Sequence, residues 1–215
     1  KLYQIMIFLI AIAILWFIVF TKKLFFWVYL WQLKEYHIGR FIDHFRTYKG
    51  KRLILSYLLL VKISALLAIL FSAKFSLAEI KLSLVYLVGA VFFVEALLVF
   101  RNIWQRSLKR PVLTRKTALI LSTGVSSQIL ILFALFLLEL NLSRFTFSLL
   151  FLDVLAPVIF SALVLAYQPL AVILRNRIIK EARKKRAIYP NLLVIGVTGS
   201  YGKTSTKEFL AAILS

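Results

Sequence analysis

The sequence contains no cysteine, which excludes disulfides, thiolate metal sites and cysteine nucleophiles. Histidine is nearly as scarce. His37 and His44 are the only two, and they share a helical face without a third ligand nearby, which argues against a metal site. Acidic residues are also few: 8 Asp and Glu stand against 28 Lys and Arg, for a formal net charge of +20. In a soluble protein that excess would point to nucleic acid. Here the basic residues cluster between apolar runs, so membrane topology and anionic inner-leaflet headgroups account for them and no nucleic-acid partner is expected.

What the sequence has in quantity is apolar surface. Of 215 residues 62% are hydrophobic, and the mean hydropathy is +0.91; a soluble domain is nearer half apolar. One small core cannot hide that excess, so most of it is expected to face lipid. Five runs reach the roughly 20 apolar residues needed to cross a hydrocarbon core of about 30 Å: 2–20, 53–71, 80–100, 118–140 and 145–170, the last broken by Pro157 and closed by Pro169. Helices are expected, because open strands would leave backbone groups unpaired in lipid. The first run is not a signal peptide, since no small-residue cleavage site precedes Lys22 and Lys23 and further spans follow.

The connections supply an independent test of this topology. Eight basic residues, Lys22 to Arg52, follow span one; two, Lys74 and Lys81, follow span two; six, Arg101 to Lys116, follow span three. Arg144 alone follows span four, and seven, Arg175 to Arg186, follow span five. That alternation predicts an N-terminus outside and a C-terminus in the cytoplasm of a multi-pass protein of the cytoplasmic membrane. The aromatic stretch 24–33 is either an interfacial helix or an extension of helix one. Residues 34–46 read as an amphipathic helix on the inner leaflet or as a docking surface for a cytoplasmic domain. Residues 175–186 read as a basic juxtamembrane helix, stopped at Tyr189-Pro-Asn191 because proline disfavours helical geometry before it.

Lys62, Glu95 and Asp153 fall inside spans two, three and five. An ionisable group at mid-bilayer costs about 2.5–3.5 kcal/mol even on insertion-based scales, so each should face the bundle interior and find a partner. Lys62 with Glu95 or with Asp153 would form such a pair. Structural glue or snorkelling is one role; a site for a polar lipid headgroup or a transported ion is the other. Glu139, near a span end, is expected to reach water. Ser122, Thr123, Gly124, Ser126 and Ser127 form a small-residue patch suited to helix packing.

Near the C-terminus, 192–197 (Leu-Leu-Val-Ile-Gly-Val) is a short β-branched run of the kind expected of a buried parallel strand. Thr198-Gly-Ser-Tyr-Gly-Lys-Thr-Ser-Thr206 follows, and then the helix-forming Lys207-Glu-Phe-Leu-Ala-Ala-Ile-Leu214. Strand, glycine-rich loop, Gly-Lys-Thr and helix is the order of a phosphate-binding loop. Gly199 and Gly202 permit close backbone approach, and the N–H groups from Ser200 through Tyr201 to Thr204 can surround phosphate at a helix N-terminus. Lys203 supplies a point charge for the β- and γ-phosphates of ATP, and the Thr204 hydroxyl can ligate Mg²⁺, with Ser205 beside it. The strict pattern asks for glycine at 197, which is valine here.

Gly196-Val-Thr-Gly-Ser-Tyr-Gly-Lys-Thr-Ser-Thr-Lys-Glu208 resembles the ATP loop of the Mur ligases, G-x-T-G-[ST]-x-G-K-[ST]-[ST]. It is most similar to the type that joins D-alanyl-D-alanine to UDP-N-acetylmuramoyl-tripeptide. The resemblance covers about 25 residues, from Asn191 onward. The membrane part stands where such ligases carry their N-terminal substrate-binding domain. The resemblance implies an acid–amino-acid ligase that forms an amide bond on a cell-wall precursor through an acyl-phosphate. Lys203 would then be the catalytic residue and Thr204 the Mg²⁺ ligand.

The expected architecture is therefore a bundle of about five transmembrane helices (1–174) and a basic juxtamembrane linker (175–190). The first β-strand–P-loop–α-helix of an α/β nucleotide-binding domain (191–215) is expected to follow. Because the chain opens on Lys1 and stops at Ser215 inside the motif, it reads as a fragment that is inactive by itself. A membrane binding or transport module for a lipid-linked wall precursor, with an attached P-loop ATPase, is the alternative.

Overall fold

The computed structural model describes residues 2–54, 56–74, 78–138, 141–189, 195–199 and 201–214. The chain divides into two compact units, 1–171 and 172–215. The first is a bundle built around α1 (Leu2–Leu33). No glycine or proline interrupts 2–33 and lysine is a good helix former, so Lys22 and Lys23 do not end the helix. At about 1.5 Å per residue α1 is roughly 48 Å long, well beyond the hydrocarbon core. The aromatic stretch 24–33 is thus an extension of helix one. Trp16, Phe20, Leu24, Val28 and Trp31 are buried at three- and four-residue spacing and form its packing stripe.

Beyond α1 the chain turns sharply. Glu35 and Tyr36 both take positive φ (55° and 58°), and the Tyr36 N–H closes the helix end on the Trp31 carbonyl at 2.9 Å. Two non-glycine residues in the left-handed region are strained, and later elements hold them. Gln168 Nε2 donates to the Tyr36 carbonyl at 2.6 Å, and the Lys116 ammonium lies 3.7 Å from the centroid of the Tyr36 ring. The short α2 (Ile38–Arg46) then folds back, with Phe41 stacked on Trp31 at 3.8 Å. It is the amphipathic helix expected over 34–46, though Lys34 to His37 precede it. Next come α3 (Tyr48–Ile54), α4 (Tyr57–Lys74), α5 (Ala78–Trp104) and α6 (Arg115–Leu138).

Asn141 caps α7 (Leu142–Ala166), its Oδ1 accepting from the Ser143 N–H at 3.1 Å. Phe145, Leu149, Ala156, Phe160 and Val164 form the buried stripe of α7, and Phe160 meets Phe20 of α1 with ring centroids 4.7 Å apart. α7 ends at Tyr167, and Pro169 falls in the first turn of α8 (Gln168–Ala187), where a missing N–H costs nothing. Among the described residues five helical segments are long and apolar enough to cross a membrane. The bundle has an apolar core with a few buried polar side chains inside it, and large apolar side chains also cover its outside. Lys62, Gln128, Thr146 and Asp153 are buried, whereas Leu67, Phe93, Leu97, Phe133 and Leu137 are exposed. Within the small-residue patch Gly124 is the buried member: a Cβ there would lie 2.7 Å from the buried Leu24 side chain, so α6 carries glycine where α1 approaches it, while Ser122, Ser126 and Ser127 are exposed.

The unit boundary falls inside α8. The second unit holds the rest of α8, residues 195–199 and α9 (Lys203–Leu214). Here the expected fold class is corrected. No β-strand occurs among the described residues, so the predicted β-strand–P-loop–α-helix unit is not seen among them. Residues 195–197 are irregular, while 192–194 lie outside the described residues. A strand exists through hydrogen bonds to a neighbouring strand, and no described residue forms one. α9 forms, but none of its residues is buried.

Candidate functional site

The bundle interior brings three helices to one cluster of charge. Lys62 of α4, 2% exposed, bonds both Glu95 Oε2 of α5 and Asp153 Oδ2 of α7. Both partners considered for Lys62 are therefore used. A fourth member comes from α1: Lys23 Nζ donates to Asp153 Oδ2 at 2.7 Å. Two ammonium groups thus face two carboxylates, and the cluster is neutral in sum.

Lys23 also donates to the Asp153 backbone carbonyl at 3.3 Å. That carbonyl would ordinarily accept from the N–H four residues on, which is position 157. Pro157 has no N–H, so the acceptor is released inside the helix and a neighbouring helix satisfies it, as membrane proteins require. The expected break at Pro157 is absent, since α7 runs through it unbroken; the proline frees one carbonyl and the lysine of α1 satisfies it. Sequence reading placed Lys23 in a connection and missed it. The available signals were the unbroken helical run through Lys23 and the Asp-to-Pro spacing of four.

The cluster forms part of the wall of a cavity of about 890 Å³. Lys22, Lys23, Lys62 and Lys109 line it with Glu95 and Asp153. Ser56, Asn102, Ser107 and Ser161 add polar groups. The remaining wall is aromatic and aliphatic and includes Phe26, Trp27, Leu59, Val99 and Val158. Ser161 also receives the Trp31 indole N–H at 3.0 Å, which fixes that wall. Lys23 keeps 24% of its side chain exposed while its ammonium is paired with Asp153.

The residues of the glycine-rich loop lie in the second unit. Gly199 and Gly202 adopt positive φ (147° and 75°), conformations that favour glycine. Lys203 is the first residue of α9 and Thr204 and Ser205 follow in its first turn, all exposed. Tyr201 is 97% exposed, and Ser200 lies outside the described residues. The Gly202 carbonyl accepts from the Thr206 N–H and hydroxyl, both at 2.9 Å, which closes the first turn. First-turn N–H groups have no intrahelical acceptor, and here they belong to the Gly-Lys-Thr segment.

Among the described residues no three His, Cys, Asp or Glu side chains gather into a metal-binding group. His44 is half-buried, and its pKa is lowered by burial and then by Lys34. Burial raises the Tyr36 phenol above its usual value. Glu139 lies outside the described residues. Comparison with protein-family models, curated proteins and solved structures returned no match.

Proposed function

We propose that the protein is a membrane-anchored, ATP-dependent ligase of the Mur type. It forms an amide bond on a peptidoglycan precursor at the inner face of the cytoplasmic membrane. The observation that carries this reading is the glycine-rich loop. Gly199 and Gly202 stand at left-handed positions directly before a helix that opens on Lys203-Thr204, and the surrounding residues resemble the ATP loop of Mur ligases. In this reaction ATP phosphorylates a precursor carboxylate, giving an acyl-phosphate and ADP. An amine then attacks the acyl carbon and phosphate leaves.

The contributions of this chain are positional and electrostatic. Lys203 places a cation against the β- and γ-phosphates, and the backbone N–H groups of the first turn of α9 receive phosphate oxygens. The Thr204 hydroxyl, exposed in that turn, fits a Mg²⁺ ligand; the ion would offset phosphate charge. The alternating basic content of the connections supports an N-terminus outside and the loop in the cytoplasm, where ATP is. The bundle would then hold the enzyme beside lipid-borne intermediates.

The test is Mg²⁺-ATP binding by the intact protein in nanodiscs. Lys203→Ala should weaken it at least about tenfold, the loss of a charge-assisted contact, while membrane insertion stays unchanged. Equal affinity in the variant would refute nucleotide binding at the glycine-rich segment.

A further inference from the structure

The cavity in the bundle is built for something the glycine-rich loop cannot hold. Four lysines line it against two carboxylates, an excess of two positive charges. Lys62 is neutralised within the cluster, bonded to both Glu95 and Asp153. Lys23 is bonded to Asp153 alone and remains partly exposed. Lys22 is half-buried and Lys109 exposed, and both line the same space. No ion pair within 4 Å is recorded for either among the described residues, so the unbalanced charge falls on Lys22 and Lys109. Between the cationic groups the wall is apolar, with Phe26, Leu59, Val99 and Val158 along α1, α4, α5 and α7.

A small soluble anion would use the lysines and leave this apolar wall wet. A neutral lipid would fill the wall and leave the excess charge unanswered. An amphiphile with a dianionic phosphate head satisfies both, since phosphate takes several charge-assisted hydrogen bonds and a hydrocarbon tail covers apolar surface at roughly 25 cal/mol per Å². We propose that the cavity is a binding site for a lipid bearing a terminal phosphate monoester or diphosphate. Lys22 and Lys109 contact the phosphate, Lys23 shares its ammonium between Asp153 and the headgroup, and the chain lies against the Leu59–Val158 wall. Because Glu95 and Asp153 are answered by Lys62 and Lys23, that part of the wall is neutral in sum, and the headgroup is drawn to the Lys22–Lys109 side.

The experiment is a thermal-shift titration of the intact protein in a neutral maltoside detergent at pH 8, with dodecyl phosphate as probe. Inorganic phosphate, dodecanol and the diester phosphatidylglycerol run in parallel. The expected result is stabilisation by dodecyl phosphate well beyond the other three. Lys22→Gln/Lys109→Gln should require about tenfold or more additional probe for the same shift, and Lys22→Arg/Lys109→Arg should respond like the parent. An equal shift with inorganic phosphate would mean a free-anion site and overturn the lipid occupant. An equal shift with phosphatidylglycerol would mean no preference for the double charge and overturn the headgroup class. An undiminished response in the Gln variant would reduce the effect to adsorption on the bundle surface. Lys203→Ala responds as the parent does, so failure of the nucleotide reading and failure of this one are separable. Should the Gln variant not fold, the Arg variant and the ranking of the four probes on the parent still decide.

Discussion

The residue that governs the bundle interior is Lys62, since it alone joins Glu95 to Asp153. Removing one partner of a buried ion pair strands the other and costs about 3–5 kcal/mol, whereas removing both with packed neutral groups is close to neutral. Lys62→Met should therefore lower the unfolding midpoint in detergent sharply. Lys62→Met/Glu95→Gln should recover most of the loss, because Lys23 remains to answer Asp153. A double-mutant cycle on these two positions measures the coupling, and additive losses would contradict the geometry. Pro157→Ala belongs to the same site. It returns an N–H to the Asp153 carbonyl and displaces the contact from Lys23, so stability should change by only about 1 kcal/mol. Lys23 should meanwhile become more reactive towards an amine-directed reagent.

At this scale the sequence was informative where polarity contradicted its surroundings. Lys62, Glu95 and Asp153 are conspicuous inside apolar runs, and the expectation that they meet is what the structure shows. Lys23 was not conspicuous, because adjacent lysines after a span usually mark its end. Only the helix continuing past them places one in the interior. Gly199 and Gly202 were legible as backbone positions, and both adopt the left-handed geometry that glycine serves.

Among elements, the helices were readable because apolar runs of 20 residues admit little else. Their ends were less so. Span one proved to be the first part of a 32-residue helix, and span five divides at Tyr167 into α7 and α8. The strand expected over 192–197 was an inference from β-branched composition alone. Composition provides no neighbouring strand to hydrogen-bond, and among the described residues there is none. Of the small-residue patch read as a packing surface, only Gly124 is buried, while Ser122, Ser126 and Ser127 are exposed, and Gly124 carries its own prediction. Gly124→Leu would drive a side chain into Leu24 and Leu163, so it should destabilise the bundle by about 1–3 kcal/mol. Ser122→Leu, on an exposed position of the same helix, should leave the unfolding midpoint nearly unchanged.

For the molecule as a whole, charge and apolar surface are sorted into alternating layers of sequence. That sorting is why a multi-pass reading and an orientation both follow from counting basic residues. What the bundle recognises was not legible, because the cavity depends on how α1, α4, α5 and α7 converge and no local pattern announces that. The absence of cysteine from these 215 residues gives the account a clean test, since an introduced thiol is the only one among them. Tyr201 is almost fully exposed in the glycine-rich loop, which makes Tyr201→Cys a direct reporter. The decisive measurement is its labelling by a membrane-impermeant maleimide in right-side-out and inside-out vesicles, with and without Mg²⁺-ATP. The account predicts labelling only in inside-out vesicles, slowed by Mg²⁺-ATP and not by ATP-free Mg²⁺. Labelling from the outer face, or a rate indifferent to nucleotide, would contradict it.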